Sequence, residues 1–166
     1  MVKLDEIDLH ILQVLQDNAR IPILDLAERV GLSPTPCSRR LRRLEEEAII
    51  KKYIAVLDPK VMGLDITALL SVRVRHSPEL AVKFRAAILQ LPNIRGCYSV
   101  TGSSDYLLWV NAKDMQALAR WILDDVHSIP SVLHTHTSII LESIKDEPSV
   151  LLRDLAALKD QSAGKK

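Results

Sequence analysis

Cysteine is scarce in this sequence of 166 residues, where only Cys37 and Cys97 occur. They lie far apart, and neither belongs to a Cys-X-X-Cys pair or to a histidine-rich ligand pattern. This usage indicates neither a disulfide framework nor a zinc site. We therefore expect both thiols to be reduced and packed, and we expect no metal and no cofactor.

Long apolar runs are also missing from the sequence. No uninterrupted apolar stretch approaches the roughly 18 residues that a membrane span needs. Charged residues, Lys3 and Asp5 among them, interrupt the start of the chain where a secretory signal would need an apolar stretch. The hydrophobic share of 48% and the charged share of 26% are typical of globular proteins. These features predict a globular, cytoplasmic protein without a membrane partner.

The chain also lacks a strong excess of charge, because its formal net charge is +1. That value alone does not favour nucleic acid as a partner. The distribution is uneven, however, since the segment 29–44 contains five arginines and no acid before Glu45 reverses the sign. The arginines are Arg29, Arg39, Arg40, Arg42 and Arg43. The positive charge is therefore local.

Apolar spacing predicts three short helices at the start of the chain. The first has apolar residues at helical intervals from Leu4 to Leu15, with Asp5 as its cap. A second begins around Pro22 and ends at Gly31. Ser33 and the following proline are typical of a third helix start, with the helix continuing to about Glu47. A helix, a tight turn and a second helix form a helix-turn-helix.

The third helix has two chemically different faces. A helical wheel places Cys37, Leu41, Leu44 and Ala48 on an apolar stripe, opposite a polar and basic face. Arginine can bind guanine or phosphate, and small hydroxyls can approach bases closely. The predicted DNA contacts are Ser33, Thr35, Ser38, Arg39, Arg42 and Arg43. The alternative is a solvated face whose arginines pair at i,i+4, such as Arg42 with Glu46.

The segment that follows, 48–57, is apolar and β-branched enough to form a strand or short hairpin that acts as a wing. Lys51 and Lys52 would extend the positive surface. Residues 58–65 contain a proline and a glycine between periodic segments and are typical of a linker. We therefore predict a winged helix-turn-helix domain at 1–57, a linker at 58–65 and a second domain at 66–166.

The residue pattern of the second domain predicts the element order βαββαβ. Alternating residues indicate strands at 66–74, 94–101, 106–112 and 132–142, and amphipathic stripes indicate helices at 78–91 and 115–126. This order is typical of a ferredoxin-like sandwich, so the chain is predicted to be α+β. A further amphipathic helix is predicted at 148–158. The sheet face without helices carries apolar side chains, which predicts a homodimer.

Two motifs show a resemblance to a known family. The sequences VGLSPTPCSRRLRRLE from Val30 and GSSDYLL from Gly102, in this order of elements, resemble the Lrp/AsnC family of bacterial and archaeal transcription factors. The resemblance implies a C-terminal domain that regulates amino-acid metabolism, an amino acid bound between dimers, and dimers that assemble into tetramers or octamers.

The resemblance also implies the residues of an effector pocket. The matching positions are Gly102, Asp105, Tyr106, Thr135 and Thr137. A glycine lets a ligand approach backbone N–H groups that can receive a carboxylate, while hydroxyls and a carboxylate suit an ammonium group. The alternative is that the glycine and the aspartate only form a hairpin turn and the threonines only fill a strand.

Two other functions remain open from the sequence. Some proteins that resemble this family are sirohaem decarboxylases, and His134 and His136 lie on one strand face where they could ligate a metal or haem. The other possibility is a stand-alone amino-acid sensor that binds no DNA. The arginine face of the third helix argues against it. Because Cys37 lies on the core stripe and no nucleophile and base pair is evident, we expect a DNA-binding regulator and not an enzyme.

Overall fold

The structure is a computed structural model that describes residues 4–75 and 77–145. Within these ranges the chain divides into two compact units, one ending at Ala55 and the other spanning Val56–Lys145. The boundary lies close to the linker predicted at 58–65. The helix predicted at 148–158 lies outside the described residues. None of the helices in these ranges is long and apolar enough to cross a membrane.

The N-terminal unit contains the three predicted helices. They are α1 (Glu6–Asp17), α2 (Ile23–Arg29) and α3 (Pro34–Glu46). Asp5 caps α1 in a reciprocal manner, because its side chain accepts the Asp8 N–H at 2.8 Å and the Asp8 carboxylate accepts the Asp5 N–H at 3.1 Å. Gly31 takes φ +69° after α2, which brings the Leu32 N–H to the Ala27 carbonyl at 2.9 Å. The capping residues therefore end and start the helices as predicted.

The core of this unit follows the apolar stripes of the helices. Its buried members are Ile11, Val14, Leu26, Ala27, Val30, Cys37 and Leu44. Cys37 is fully buried, and its burial raises the pKa of the thiol. Leu41 is only partly buried against this core, and Ala48 is exposed. The predicted stripe is therefore correct at its centre and less buried at its edges.

The segment after α3 differs from the prediction of a strand or hairpin. Ala48 takes φ +54°, and the N–H groups of Ile49 and Ile50 both donate to the Leu44 carbonyl at 3.0 Å. Residues 51–58 then form neither helix nor strand. A strand is stabilised by hydrogen bonds to a neighbouring strand, and none of the described strands pairs with this segment. Its β-forming side chains, such as Ile54, are exposed.

The C-terminal unit has the predicted βαββαβ order. Its elements are β1 (Ile66–Val74), α4 (Pro78–Gln90), β2 (Ile94–Ser99), β3 (Tyr106–Ala112), α5 (Met115–Trp121) and β4 (Val132–Ile139). The sheet is antiparallel with strand order β2-β3-β1-β4. The strands β2 and β4 end before the predicted positions 101 and 142. The helix α5 continues as a π-helical turn, Ile122–Val126, in which the His127 N–H donates to the Ile122 carbonyl at 2.9 Å.

The two faces of the sheet carry different residues. On the helix-covered face, alternate residues of β1 such as Leu70 pack with Leu108 of β3 and Phe84 of α4. On the other face, Leu69 pairs with Trp109 and lies beside residues that are only partly buried. The packed helices therefore determine which set of alternate strand residues forms the core.

One prediction about the packing of this unit is wrong. Cys97 was expected to be packed, but the structure exposes it. It lies on β2, which forms one edge of the sheet. An edge strand has a neighbour on one side only, so its side chains receive less cover.

Candidate DNA-binding face and effector site

Four of the predicted DNA contacts lie together on the exposed surface of α3. Thr35, Ser38, Arg39 and Arg42 line one shallow depression of about 400 Å³, together with Ile23 and Pro34. All four are exposed. The structure therefore brings two guanidinium groups and two hydroxyls onto one continuous surface, which has the donors needed to bind guanine edges and phosphates.

The N-terminus of α3 adds polar backbone to this surface. Ser33 is the exposed N-cap, and within the described residues its side chain makes no capping hydrogen bond. The Cys37 N–H donates to the Ser33 carbonyl at 3.3 Å. Thr35 lies in the first turn, where a backbone N–H has no acceptor within the helix. Such helix starts carry partial positive charge and suit a phosphate.

The other two arginines of α3 lie against α1. Arg40 Nη1 donates to Asp5 Oδ2 at 2.6 Å and to Asp8 Oδ1 at 2.8 Å. Arg43 Nη2 donates to Asp8 Oδ2. We call these four residues the α1–α3 clamp. Arg43 was predicted from the sequence to contact DNA. In the structure its guanidinium pairs with Asp8, which lies far from it in the chain.

The clamp stabilises the charged forms of Asp5 and Arg40. The pKa of Asp5 is lowered, first by the hydrogen bond from the Asp8 backbone N–H and then by Arg40. The pKa of Arg40 is raised by its hydrogen bonds to Asp5 and then to Asp8. The side chain of Asp8 is almost fully buried, with 1% of its surface exposed. Buried carboxylates need such partners, because an unpaired buried charge is strongly destabilising.

The turn between β2 and β3 contains two of the predicted effector residues, Gly102 and Asp105, and a third, Tyr106, is the first residue of β3. Gly102 takes φ +118°, a conformation that favours glycine, and a Cβ there would face open space. Asp105 closes the turn, since its carbonyl accepts the Val100 N–H at 3.0 Å. Its Oδ2 accepts the Val74 N–H at 2.8 Å. Gly102 and Asp105 therefore have the structural role that the sequence left open as an alternative.

Asp105 and Tyr106 also line a depression of about 450 Å³. Its full lining is Val74, Arg75, Ser77, Pro78, Ala81, Ser99, Val100, Asp105 and Tyr106. The Tyr106 ring lies 4.5 Å from the Phe84 ring, centre to centre, and is anchored in the core. The depression thus combines a carboxylate, a guanidinium, hydroxyls and the start of α4, a set that suits a zwitterion.

The two predicted threonines lie elsewhere on the sheet. Thr135 pairs with Val72 on one side of β1, and Tyr106 pairs with Val72 on the other. Two strand spacings separate Thr135 from Tyr106, which is about 10 Å. The Thr135 hydroxyl lies 2.8 Å from His127 Nε2. Among the described residues, neither Thr135 nor Thr137 lines the depression.

Sequence reasoning missed Arg75 and Ser77 as lining residues. Arg75 follows β1 directly, and Ser77 immediately precedes α4. In the structure Ser77 is the N-cap, but within the described part of the chain its side chain makes no capping bond. The signal available in the sequence was the pair of polar residues, Arg75 and Ser77, between the end of β1 and the start of α4.

Comparison with known sequence families decides the identity of both units. Residues 4–51 match the family described as winged helix-turn-helix DNA-binding. Residues 67–150 match the family described as the Lrp/AsnC ligand binding domain. The chain belongs to the Lrp/AsnC family.

Individual relatives cover almost the whole of this Lrp/AsnC chain. A proline dehydrogenase transcriptional activator of Rhizobium radiobacter is 37% identical over 86% of this chain and 92% of its own. The leucine-responsive regulatory protein of Salmonella typhimurium is 35% identical over 90% of this chain and 92% of its own. The crystal structure of a Neisseria meningitidis transcriptional regulator in complex with L-Met superimposes with a TM-score of 0.90 at 38% identity, covering 92% of this chain and 99% of its own.

The histidines of the enzyme alternative lie on the sheet face opposite the helices. His136 pairs with Ser71 and His134 with Arg73, and both histidines are exposed. Within residues 4–75 and 77–145, no group of three or more metal-ligating side chains is present. The relatives of this Lrp/AsnC protein carry regulator names, so the comparisons do not support a sirohaem-decarboxylase-like enzyme.

Proposed function

We propose that this Lrp/AsnC protein is a sequence-specific DNA-binding transcriptional regulator whose operator binding or assembly responds to an amino acid or a related small metabolite. The exposed pair Arg39 and Arg42 on α3, next to Thr35 and Ser38, is the observation that carries the proposal. With double-stranded DNA as its partner, the protein acts in the cytoplasm.

In this proposal α3 enters the major groove. Arg39 and Arg42 contact guanine edges or phosphates, and Thr35 and Ser38 contact bases or backbone near the helix start. Ser33 binds phosphate together with the backbone N–H of Thr35, because Pro34 and Pro36 have no N–H and the Cys37 N–H donates to the Ser33 carbonyl. Arg43 is the one predicted contact whose guanidinium is already occupied by Asp8, so the proposed contact face rests on the other residues.

The effector site is proposed at the turn between β2 and β3. The depression beside Asp105 and Tyr106 supplies a carboxylate for an ammonium group, with Arg75 and the start of α4 for a carboxylate. Gly102 leaves the turn backbone open to a ligand. Thr135 and Thr137 join the site only across an interface, because β1 separates them from the turn within one chain. The L-Met complex of the Neisseria meningitidis regulator supports an amino acid as the class of effector.

A homodimer is the proposed basic assembly. The sheet face opposite the helices has Leu69 paired with Trp109 and Leu107 paired with Ser71 at its centre. The guanidinium of Arg95 lies 4.9 Å from the centre of the Trp109 ring. A second copy packed on this face would cover the apolar side chains and present two copies of α3 to a two-fold-related site. Dimers are proposed to assemble further into tetramers or octamers.

Operator selection followed by a ligand screen tests the proposal. A duplex bound tightly should emerge from a random-sequence library, and the full-length protein should bind it far more tightly than random DNA at the same salt concentration. A thermal-shift screen of the twenty amino acids should then reveal the effector, since a ligand that binds only the folded state raises stability. Binding that does not depend on sequence, or no thermal shift with any amino acid, would contradict the respective half of the proposal.

A further inference from the structure

We propose that Asp8, assisted by Asp5, increases DNA selectivity by withholding Arg40 and Arg43 from the DNA backbone. The inference rests on the proposed function and concerns how the same recognition helix discriminates its operator from other DNA. Asp8 acts through the arginines and is a positioning residue, since it does not itself contact DNA.

The hydrogen bonds of the clamp give each carboxylate oxygen of Asp8 an arginine. Oδ1 accepts from Arg40 at 2.8 Å, and Oδ2 accepts from Arg43. Arg40 also binds Asp5 at 2.6 Å. Hydrogen bonds between charged groups are the strongest of their kind. Because Asp8 is buried and has both oxygens occupied, releasing either arginine would leave a buried carboxylate with fewer partners.

The pairing matters for DNA binding because it occupies two of the four arginines on α3. The helix carries Arg39, Arg40, Arg42 and Arg43 on adjacent turns. Each cation that neutralises a phosphate adds affinity for any sequence and steepens the salt dependence, by about 0.9 in the slope of log K against log salt. Two arginines bound to acids on α1 do not contribute in this way. Non-specific affinity is therefore kept low, while Arg39 and Arg42 remain on the contact face.

The same hydrogen bonds fix the rotation of α3. Asp5 and Asp8 are three residues apart at the start of α1, and Arg40 and Arg43 are three residues apart on α3. Residues at this spacing lie on one side of a helix, so the clamp holds one side of α3 against α1. Arg39 and Arg42 are thereby directed away from α1, where the structure exposes them.

Salt titrations with a pair of arginine variants test the withholding directly. On the selected operator, Arg42→Gln should weaken binding, and a phosphate contact of Arg42 would also lower the magnitude of the salt slope by about 0.9; Arg40→Gln should leave the slope unchanged. Arg40→Gln keeps Asp8 paired with Arg43 and so preserves part of the clamp. An equal loss of slope in both variants would overturn the inference. If neither variant changes the affinity or the slope, the result would instead count against the proposed DNA-contacting face.

Release of the arginines provides the complementary experiment. Asp8→Asn should raise the affinity for random DNA, steepen its salt slope, and lower the ratio of operator to random binding. Asp5→Asn should change these quantities in the same direction by less, and asparagine preserves the helix cap. The matched control is Asp25→Asn, which removes an exposed acid of α2 without touching the clamp.

The comparison with this control separates withholding from a general loss of negative charge. If Asp5→Asn and Asp8→Asn increase the salt slope no more than Asp25→Asn does, the inference is wrong. Circular dichroism melting identifies any variant that does not fold. Should Asp8→Asn be such a variant, the slopes of Asp5→Asn and of the arginine pair decide the matter, because a purely structural role of the clamp would not steepen the slope.

Discussion

The carboxylate of Asp105 accepts a hydrogen bond from the backbone N–H of Val74 at 2.8 Å, which ties the turn between β2 and β3 to the end of β1. The same side chain lines the proposed effector depression. A ligand that binds Asp105 would therefore act on the attachment between this turn and β1. This arrangement offers a physical route by which an effector could favour one assembly over another.

Asp105→Asn should separate effector response from DNA binding. Asparagine keeps an oxygen that can accept the Val74 N–H but loses the charge that would bind an ammonium group. Operator affinity without ligand should stay near wild type, and the effect of the amino acid on it should disappear. Operator titrations with and without the effector measure both quantities, with Asp124→Asn as an exposed-acid control. A wild-type response in Asp105→Asn would place the pocket elsewhere.

Gly102 is a less direct probe of the same site. Its φ of +118° strains any side-chain-bearing residue, although a Cβ would meet no neighbour within 4 Å. Gly102→Ala should therefore cost about 1–3 kcal/mol of stability in the C-terminal unit as well as weaken the response to the effector. Urea unfolding should detect this cost. An unchanged unfolding midpoint would show that the turn relaxes to a different backbone conformation.

Arg39→Ala and Arg42→Ala should each weaken operator binding by about 1–3 kcal/mol, because each removes a guanidinium that can make a bidentate contact with a base. Their melting temperatures should stay near that of the wild type, since both side chains are exposed. Arg120→Ala, an exposed arginine of the C-terminal unit, is the control. Wild-type operator affinity in both variants would show that another surface contacts the DNA.

Leu44→Ala should destabilise the N-terminal unit by about 2–5 kcal/mol, because Leu44 is completely buried. Leu41→Ala should cost less, since Leu41 is only partly buried at the edge of the same core. The wheel alone would assign both leucines a similar cost. Chemical denaturation of the two variants measures the difference, and a larger cost at Leu41 would mean that α3 is rotated relative to this description.

Acid should weaken the clamp through Asp5. The pKa of this carboxyl is lower in the folded chain than the usual 3.8, owing to the Asp8 backbone N–H and to Arg40. Its contribution to stability is therefore fully present above about pH 4 and is lost as the pH falls through the lower, folded value. Asp5→Asn should lose less stability than the wild type on acidification below about pH 4. Parallel curves for the two proteins would contradict this assignment.

The two thiols should differ in their reaction with an alkylating reagent near neutral pH. Cys97 is exposed and Cys37 is fully buried. Loss of hydration raises the pKa of both thiols, only partly opposed at Cys97 by the charge of Arg85, so access decides the order of reaction. Mass spectrometry should find Cys97 modified first and Cys37 modified only after unfolding. Cys97→Ser supplies the control, and rapid labelling of Cys37 in it would contradict the described core.

Local chemistry was sufficient to predict most of the architecture from the sequence. The cap at Asp5, the left-handed turn at Gly31 and the strand alternation of 66–74 act through neighbours in the chain. They therefore determine where helices and strands begin and end without reference to the rest of the molecule. The same applies to the exposed positions of Arg39 and Arg42 opposite Cys37.

Contacts between residues distant in the chain were decided only by the tertiary structure. The run of arginines from Arg39 to Arg43 contains no acid, yet Asp8 binds Arg43 and Arg40 from the first helix. Strand pairing likewise places β1 between Tyr106 and Thr135, which separates residues that the family resemblance grouped together. Segment 51–58 has strand-forming residues, but none of the strands in the described part of the chain pairs with it. Sequence determines which groups the chain carries, and long-range packing decides which of them meet, because ion pairs and strand ladders depend on distance in space.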